Sequence, residues 1–398
     1  MGGPAGGSAV RPVLIDARPL QGDSASRGIG TYLRGLLEGM GEIGFASRVS
    51  VLISRGAAEP TDLTGRGLVV GARTPRLERR SQVLADPWLV ARALRGNPAR
   101  LYHAVEYGQP RRAAIPVVVT VHDLIPFLLP GYSWRSRLLR RPGLRLLRRA
   151  DAIIAPSGAT ARDCTRIARV APEKIHVVPH GLSARYQPAP PEAVESARAR
   201  FGLGRPYLLG VGTFEPRKGL PHLVEVTRRL RRDHDVDLVI AGQQGLFEPA
   251  VRAQLATLGD HGRELGFVKT ADLVALYGGA AAFVFPSSCE GFGLPLLEAM
   301  GCGVVAVGFQ NSSLPEVAGE AAVLVPDGDD AALHAALERL LSDPEETVRR
   351  RRLGLEHAAG FTWEAAARST VAVYETLLGE PLLVGVSEVA GRGRSRRR

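Results

Sequence analysis

Short apolar runs rich in valine and isoleucine alternate with longer stretches of helical periodicity along almost the whole chain, in two successive series. The first series predicts strands at Val13–Asp16, Arg48–Ser54, Leu101–Ala104, Pro116–His122, Ala152–Pro156 and His176–Pro179. The second predicts them at Pro206–Gly212, Asp237–Ala241, Glu264–Val268, Ala282–Pro286, Val304–Val307 and Ala322–Val325. Strands separated by helix-length segments require parallel sheets with crossover helices. Between the series, Ser183-Ala-Arg-Tyr-Gln-Pro-Ala-Pro-Pro-Glu has no periodicity and is rich in proline, so it reads as a linker. The expected organisation is α/β: two Rossmann-like, doubly wound domains over residues 12–182 and 204–361, with a linker over 183–203. A helix over 362–380 is expected to cross back to the first domain, and a basic tail over 381–398 has too little apolar content to fold alone. Ligands of such sheets bind beyond the carboxyl ends of the strands, so the active site is expected in a cleft between the domains.

At 398 residues, 45% hydrophobic and 23% charged, the chain can bury two cores, which excludes disorder or fibre as its main state. The net charge of +11 is uneven: residues 1–200 carry 30 basic and 15 acidic side chains, and residues 201–398 carry 21 and 25. A basic front half suits an anionic partner, and charge alone does not choose among lipid headgroups, nucleic acid and a phosphorylated substrate. Cys164, Cys289 and Cys302 include no CxxC pair, so neither a disulfide framework nor a cysteine zinc site is indicated and a reducing cytoplasm fits. The opening residues lack an apolar signal core, and no apolar run approaches the roughly 20 residues of a membrane span. Any membrane contact is therefore expected to be peripheral, at the inner face.

The most informative stretch is Phe285-Pro-Ser-Ser-Cys-Glu-Gly-Phe-Gly-Leu-Pro-Leu-Leu-Glu-Ala-Met-Gly-Cys-Gly, which reads as a strand end, a glycine turn and a helix start. Glu290 falls in the turn and Glu298 in the helix, where backbone amides at the helix start can face an anion. This string resembles the signature of the retaining GT-B glycosyltransferases of family 4. The resemblance covers roughly residues 12–378 and implies a GT-B fold, with an acceptor-side first domain and a second domain that binds a nucleotide sugar. It also implies that Glu298 accepts hydrogen bonds from the donor's ribose hydroxyls and that Glu290 contacts hydroxyls of the transferred sugar. Gly291, Phe292, Gly293 and Leu294 would line the donor between them.

Gly210-Val-Gly-Thr-Phe-Glu-Pro-Arg-Lys-Gly-Leu follows the first strand of the second series. Arg217 and Lys218, between a proline turn and a helix start, could stabilise the charge that develops as a nucleoside diphosphate departs, without a metal ion. The placement matches the family's diphosphate loop, although the commoner form carries an arginine near Thr213 and a glutamate where Arg217 stands. The string as it stands is similar to a subgroup rich in mannosyl and deoxyhexosyl transferases.

Arg27-Gly-Ile-Gly-Thr-Tyr-Leu follows the first strand, but Leu33 fills the third glycine position of a dinucleotide fingerprint, and Ser54-Arg55 offers no ribose-binding acid. It is either a tight strand-to-helix turn or, as the resemblance implies, a loop in which Gly28 and Gly30 face the donor phosphates. Val119-Thr-Val-His-Asp delivers His122 and Asp123 to a strand's carboxyl end. Related enzymes carry a histidine there that reaches the donor sugar or the acceptor, while Asp123 could cap the turn or orient His122. Gly266 and Val268 occupy the position where family members contact the nucleobase, largely through backbone. Ser157 and His180 match family strings without an assigned role, His103 reads as a core histidine, and Cys289 stays unassigned. Residues 132–149 interleave seven arginines with Trp134 and five leucines, which reads either as an interfacial helix broken at Pro142 or as a surface helix packing its leucines inward.

The expected activity is retaining, metal-independent transfer of a hexose or deoxyhexose, mannose-type favoured, from a nucleoside-diphosphate sugar to an acceptor hydroxyl. The expected partners are that donor and an acceptor glycan, lipid carrier or small molecule, with peripheral anionic membrane contact through the arginine-rich helix, no cofactor, no metal and no nucleic acid. A GT-B epimerase or phosphorylase keeps the fold, but the Glu290 to Glu298 string argues against the first and the want of a suitably placed lysine for pyridoxal against the second. A non-enzymatic binder of anionic membrane or nucleic acid would explain the charge and leave the two-carboxylate motif unexplained.

Overall fold

The computed structural model describes residues 11–60, 68–76, 79–106, 109–129, 134–213, 215–242 and 248–383. It divides into two compact units. One comprises the chain up to Pro156, Thr160–Gly181 and the chain from Thr362 on; the other comprises Ser157–Ala159 and Leu182–Phe361.

In the first unit, β1 (Val13–Asp16), β2 (Val49–Ser54), β3 (Val69–Thr74), β4 (Leu101–Ala104), β5 (Val117–Thr120), β6 (Ala152–Ala155) and β7 (Ile175–Val177) form one sheet in the order β3-β2-β1-β4-β5-β6-β7. All its pairings are parallel, with Val13 of β1 in register with Val49 on one side and Leu101 on the other. The strands β1, β2, β4, β5 and β6 are buried on both faces: Val13 and Ile15 join one core layer, while Leu14 joins the opposite one. In the second unit, β8 (Tyr207–Val211), β9 (Asp237–Ala241), β10 (Gly262–Gly266), β11 (Ala282–Phe285), β12 (Ala306–Phe309) and β13 (Val323–Val325) form a parallel sheet in the order β10-β9-β8-β11-β12-β13. Tyr207 and Leu209 pack to one side of it and Leu208 to the other. Strand order therefore reverses between β1 and β4 and between β8 and β11, and such switch points are where doubly wound sheets hold ligands.

Three local expectations are corrected. β3 was not expected; it is an edge strand whose residues alternate between exposed and partly buried, so it lacks the continuous apolar run of its neighbours. β10 begins at Gly262 rather than Glu264, and β12 runs Ala306–Phe309 rather than from Val304. The arginine-rich helix Trp134–Leu147 runs through Pro142 unbroken. Leu147 is fully buried and Leu144 packs beside it, while Arg141, Arg148 and Arg149 are exposed, so this end of the helix packs its leucines inward. Tyr132 and Ser133, the side chains of residues 134–140, and tail residues 384–398 lie outside the described residues. Among the described residues no helix is long and apolar enough to cross a membrane.

The helix Trp363–Leu378 belongs to the first unit. Thr362 caps it by accepting a hydrogen bond from the Ala365 amide at 3.1 Å. It lies against the helix Gly28–Glu42, where Gly35 and Gly39 clear the space for Trp363. A Cβ on Gly35 would come within 2.0 Å of the indole, and one on Gly39 within 2.1 Å of the Trp363 carbonyl oxygen.

Candidate functional site

In the second unit the two most informative sequence motifs meet at the switch point. β8 ends at Val211 and β11 at Phe285, and these strands are neighbours. After β8 comes the turn Pro216–Lys218, followed by Gly219 at φ +70° and the helix Leu220–Leu230. Phe214 lies outside the described residues. Gly219 is required twice over: its backbone is left-handed, and a Cβ would come within 2.1 Å of the Pro286 carbonyl oxygen. This close approach lets the Ser288 amide donate to the Arg217 carbonyl at 2.8 Å.

Three donors then converge on one oxygen of Glu290. Lys218 Nζ reaches Oε1 at 2.5 Å, Ser287 Oγ at 2.7 Å and Arg217 at 2.9 Å. Arg217 also donates to Glu215 at 3.0 Å and to the Cys289 carbonyl at 3.0 Å, and Lys218 Nζ sits 4.8 Å from the centre of the Phe285 ring. The Glu290 amide donates to Ser312 Oγ at 2.9 Å, so backbone and side chain are both fixed. Among the described residues, Oε2 receives no hydrogen bond. Burial would raise the Glu290 pKa, yet Lys218 and Arg217 outweigh it and hold the carboxyl below its ordinary range. Burial lowers the Lys218 pKa, with Glu290 opposing.

Glu298 lies in the helix Leu294–Gly301, behind Gly293 at φ +103°, and is buried. Its carboxyl lies against the hydroxyls of Tyr186 and Tyr277, and burial raises its pKa to about 7 despite them. Among the described residues no hydrogen bond joins it to Arg217, Lys218 or Glu290. Gly291 and Phe292 form the intervening turn; the Phe292 ring is core, 6.1 Å from Phe361. Leu294 packs partly against the same core. Gly266, at φ +65°, ends β10 and its carbonyl accepts from Gly242 at 2.8 Å, while Val268 just beyond is half-buried.

Gly28, Gly30 and His122 belong to the first unit. Gly30 is demanded by the turn, because a Cβ would come within 2.2 Å of the Ala25 carbonyl oxygen; at Gly28 a Cβ would meet nothing within 4 Å. His122, after β5, donates from Nε2 to the Val105 carbonyl at 2.9 Å, which leaves Nδ1 as an acceptor. Burial lowers its pKa to about 4, so it acts as a neutral group at neutral pH. Its ring lies 4.8 Å from Tyr32 and 5.7 Å from His180, which stacks on Trp363. Asp123 accepts from the Ile125 amide at 3.0 Å, capping the turn. His103 is a core histidine, bonded to Tyr374 at 2.6 Å and Thr120 at 2.8 Å.

Ser287, Tyr186 and Tyr277 were not anticipated. Ser287, three residues before Glu290, was legible as a neighbouring hydroxyl; Tyr186 sits in the aperiodic linker and Tyr277 in a separate helix, and nothing local links either to Glu298.

Residues 193–355 match the family model of glycosyl transferases group 1, and residues 26–185 that of glycosyltransferase family 4. The O-antigen chain mannosyltransferase B of Escherichia coli is 32% identical over 321 residues, covering 79% of this chain and 84% of that protein. The MMP alpha-(1->4)-mannosyltransferase of Mycolicibacterium hassiacum is 32% identical over 286 residues, 67% of each chain. A solved sucrose-phosphate synthase from Thermosynechococcus elongatus superposes with a TM-score of 0.75 at 20% identity, over 93% of this chain and 99% of that one.

Proposed function

Since the chain belongs to the group 1 glycosyltransferases of family 4 and has their GT-B fold, we propose that it moves a hexose or deoxyhexose, mannose-type favoured, from a nucleoside-diphosphate sugar to an acceptor hydroxyl, with retention and without a metal ion. The observation that carries the reading is the convergence of Lys218, Arg217 and Ser287 on Glu290 Oε1, at a switch point of a doubly wound sheet. A glutamate held ionised, with its second oxygen receiving no hydrogen bond among the described residues, suits a sugar hydroxyl as donor. The two cations suit a diphosphate, whose leaving oxygen gains charge as its bond to the anomeric carbon breaks.

In the proposed step the acceptor oxygen bonds to the anomeric carbon on the face the diphosphate leaves. The bonding electrons go to the leaving oxygen, which also takes the acceptor proton. Arg217 and Lys218 offset that oxygen's charge from fixed positions, so little reorganisation is needed at the moment of transfer. Neutral His122 offers Nδ1 as a hydrogen-bond acceptor for a sugar or acceptor hydroxyl. The mannosyltransferase relatives favour mannose as the transferred sugar.

Glu298 is assigned to the ribose hydroxyls. A carboxyl that ionises near pH 7 accepts hydroxyl hydrogen bonds more strongly once it is charged. Donor binding, read as a thermal shift across UDP and GDP forms of glucose and mannose, should therefore strengthen as pH rises through about 7. Glu298→Gln should flatten that dependence, and Glu298→Ala should weaken binding by about 1.5–3 kcal/mol. If no nucleotide sugar shifts the melting temperature, or Glu298→Ala responds like the parent, the donor assignment fails.

A further inference from the structure

We propose that Trp88 and Arg111 in the first unit form a stacking platform for a pyranose ring of the acceptor, with Gln109, two residues before Arg111, as a hydrogen-bond donor to the same ligand. The inference rests on the glycosyl-transfer reading above. Trp88 is 58% exposed, which leaves a large apolar ring in water. The Arg111 guanidinium lies 5.8 Å over that ring, and the Arg111 amide donates to the Pro87 carbonyl at 2.7 Å, so ring and cation are held against each other. Gln109, two residues before Arg111, is 2% exposed, and its Nε2 has no hydrogen-bond partner among the described residues. A buried amide donor left unpaired is costly, and a ligand hydroxyl would satisfy it.

The location is specified by a buried charge network. Arg18, just past β1, pairs with Asp16 at 2.5 Å and with Asp86 at 2.7 Å, while Tyr102 of β4 donates to Asp16 at 3.1 Å. Asp86 stands two residues before Trp88 in the helix Arg79–Leu94, so this turn of the helix is tied to the carboxyl end of β1. Gln109 and Arg111 lie in the segment that follows β4. Since β1 and β4 flank the switch point of the first sheet, the platform sits where such a sheet holds its ligand. An aromatic face attracts the polarised C–H groups of a sugar face, and the Arg111 guanidinium and the Gln109 amide are donors for its hydroxyls; an acyl chain has neither polarised C–H groups nor hydroxyls.

The test is a titration of the full-length protein with α-mannotriose, followed by saturation-transfer NMR and tryptophan fluorescence. Trp88→Ala should weaken binding about tenfold or more, Trp88→Phe should retain part of it, and Arg111→Ala should weaken it less than Trp88→Ala. The thermal shift given by the nucleotide sugar should survive in all three variants. Trp88→Ala binding mannotriose within twofold of the parent, or a parent that responds to donor but not to mannotriose, overturns the platform. A parent with no donor response overturns the transfer reading instead.

Discussion

Replacing Lys218 by methionine should slow sugar transfer by about 10²–10³-fold, the usual cost of removing a fixed group that stabilises developing charge. Methionine reproduces the side chain as far as Cε and lacks the ammonium that lies over Phe285. Glu290 would retain Arg217 at 2.9 Å and Ser287 at 2.7 Å, so its carboxylate is not left alone. The loss should therefore appear in turnover at saturating donor rather than in the melting temperature. Glu290→Gln should also lower turnover, since a neutral amide accepts more weakly, while its donor-induced thermal shift stays within a few-fold of the parent in affinity. Initial rates for the two variants check this. Parent-like turnover in Lys218→Met would show that the Pro216–Lys218 turn does not face the leaving group.

Trp363→Ala should destabilise the first unit by about 3–5 kcal/mol, the range for truncating a large buried aromatic residue. Trp363 is 4% exposed, fits over Gly35 and Gly39, stacks on His180 at 5.9 Å and lies 6.1 Å from Tyr32. The cavity left behind would be lined by two glycines that cannot fill it. Gly35→Ala alone should also destabilise, because its Cβ would overlap the indole. In the double variant that Cβ enters vacated space, so the two effects should add to less than their sum. Urea unfolding reads all three proteins. A loss below about 1 kcal/mol for Trp363→Ala would mean that the indole does not anchor the C-terminal helix.

The buried strands of the two sheets were legible because burial on both faces leaves near-continuous apolar runs such as Val117–Thr120 and Ala282–Phe285. The same logic hides β3, whose exposed positions Val69, Gly71 and Arg73 hold an apolar residue, a glycine and a charge, so no apolar/polar alternation in the sequence marks the strand. At the candidate site, Lys218 and Glu290 could be singled out from their glycine turns, but their contact spans 72 residues and follows from the adjacency of β8 and β11, a property of sheet order. The neighbours of Glu298 were less accessible still. Tyr186 stands in a proline-rich segment without periodicity, and it reaches the helix Leu294–Gly301 because Gly301 lets Leu182 and the Tyr186 backbone come close. His103 was readable as a core residue from its place within an apolar strand, and its bonds to Tyr374 and Thr120 fit that reading.

The central claim is retaining transfer in which Arg217 and Lys218, rather than a metal ion, oppose the departing diphosphate. Proton NMR of the sugar first released from GDP-α-mannose, recorded in excess EDTA before mutarotation, addresses both halves of it at once. The account predicts α-mannose at a rate unchanged by EDTA and reduced in Lys218→Met. Release of β-mannose, or a reaction that stops in EDTA and resumes with manganese, would contradict it.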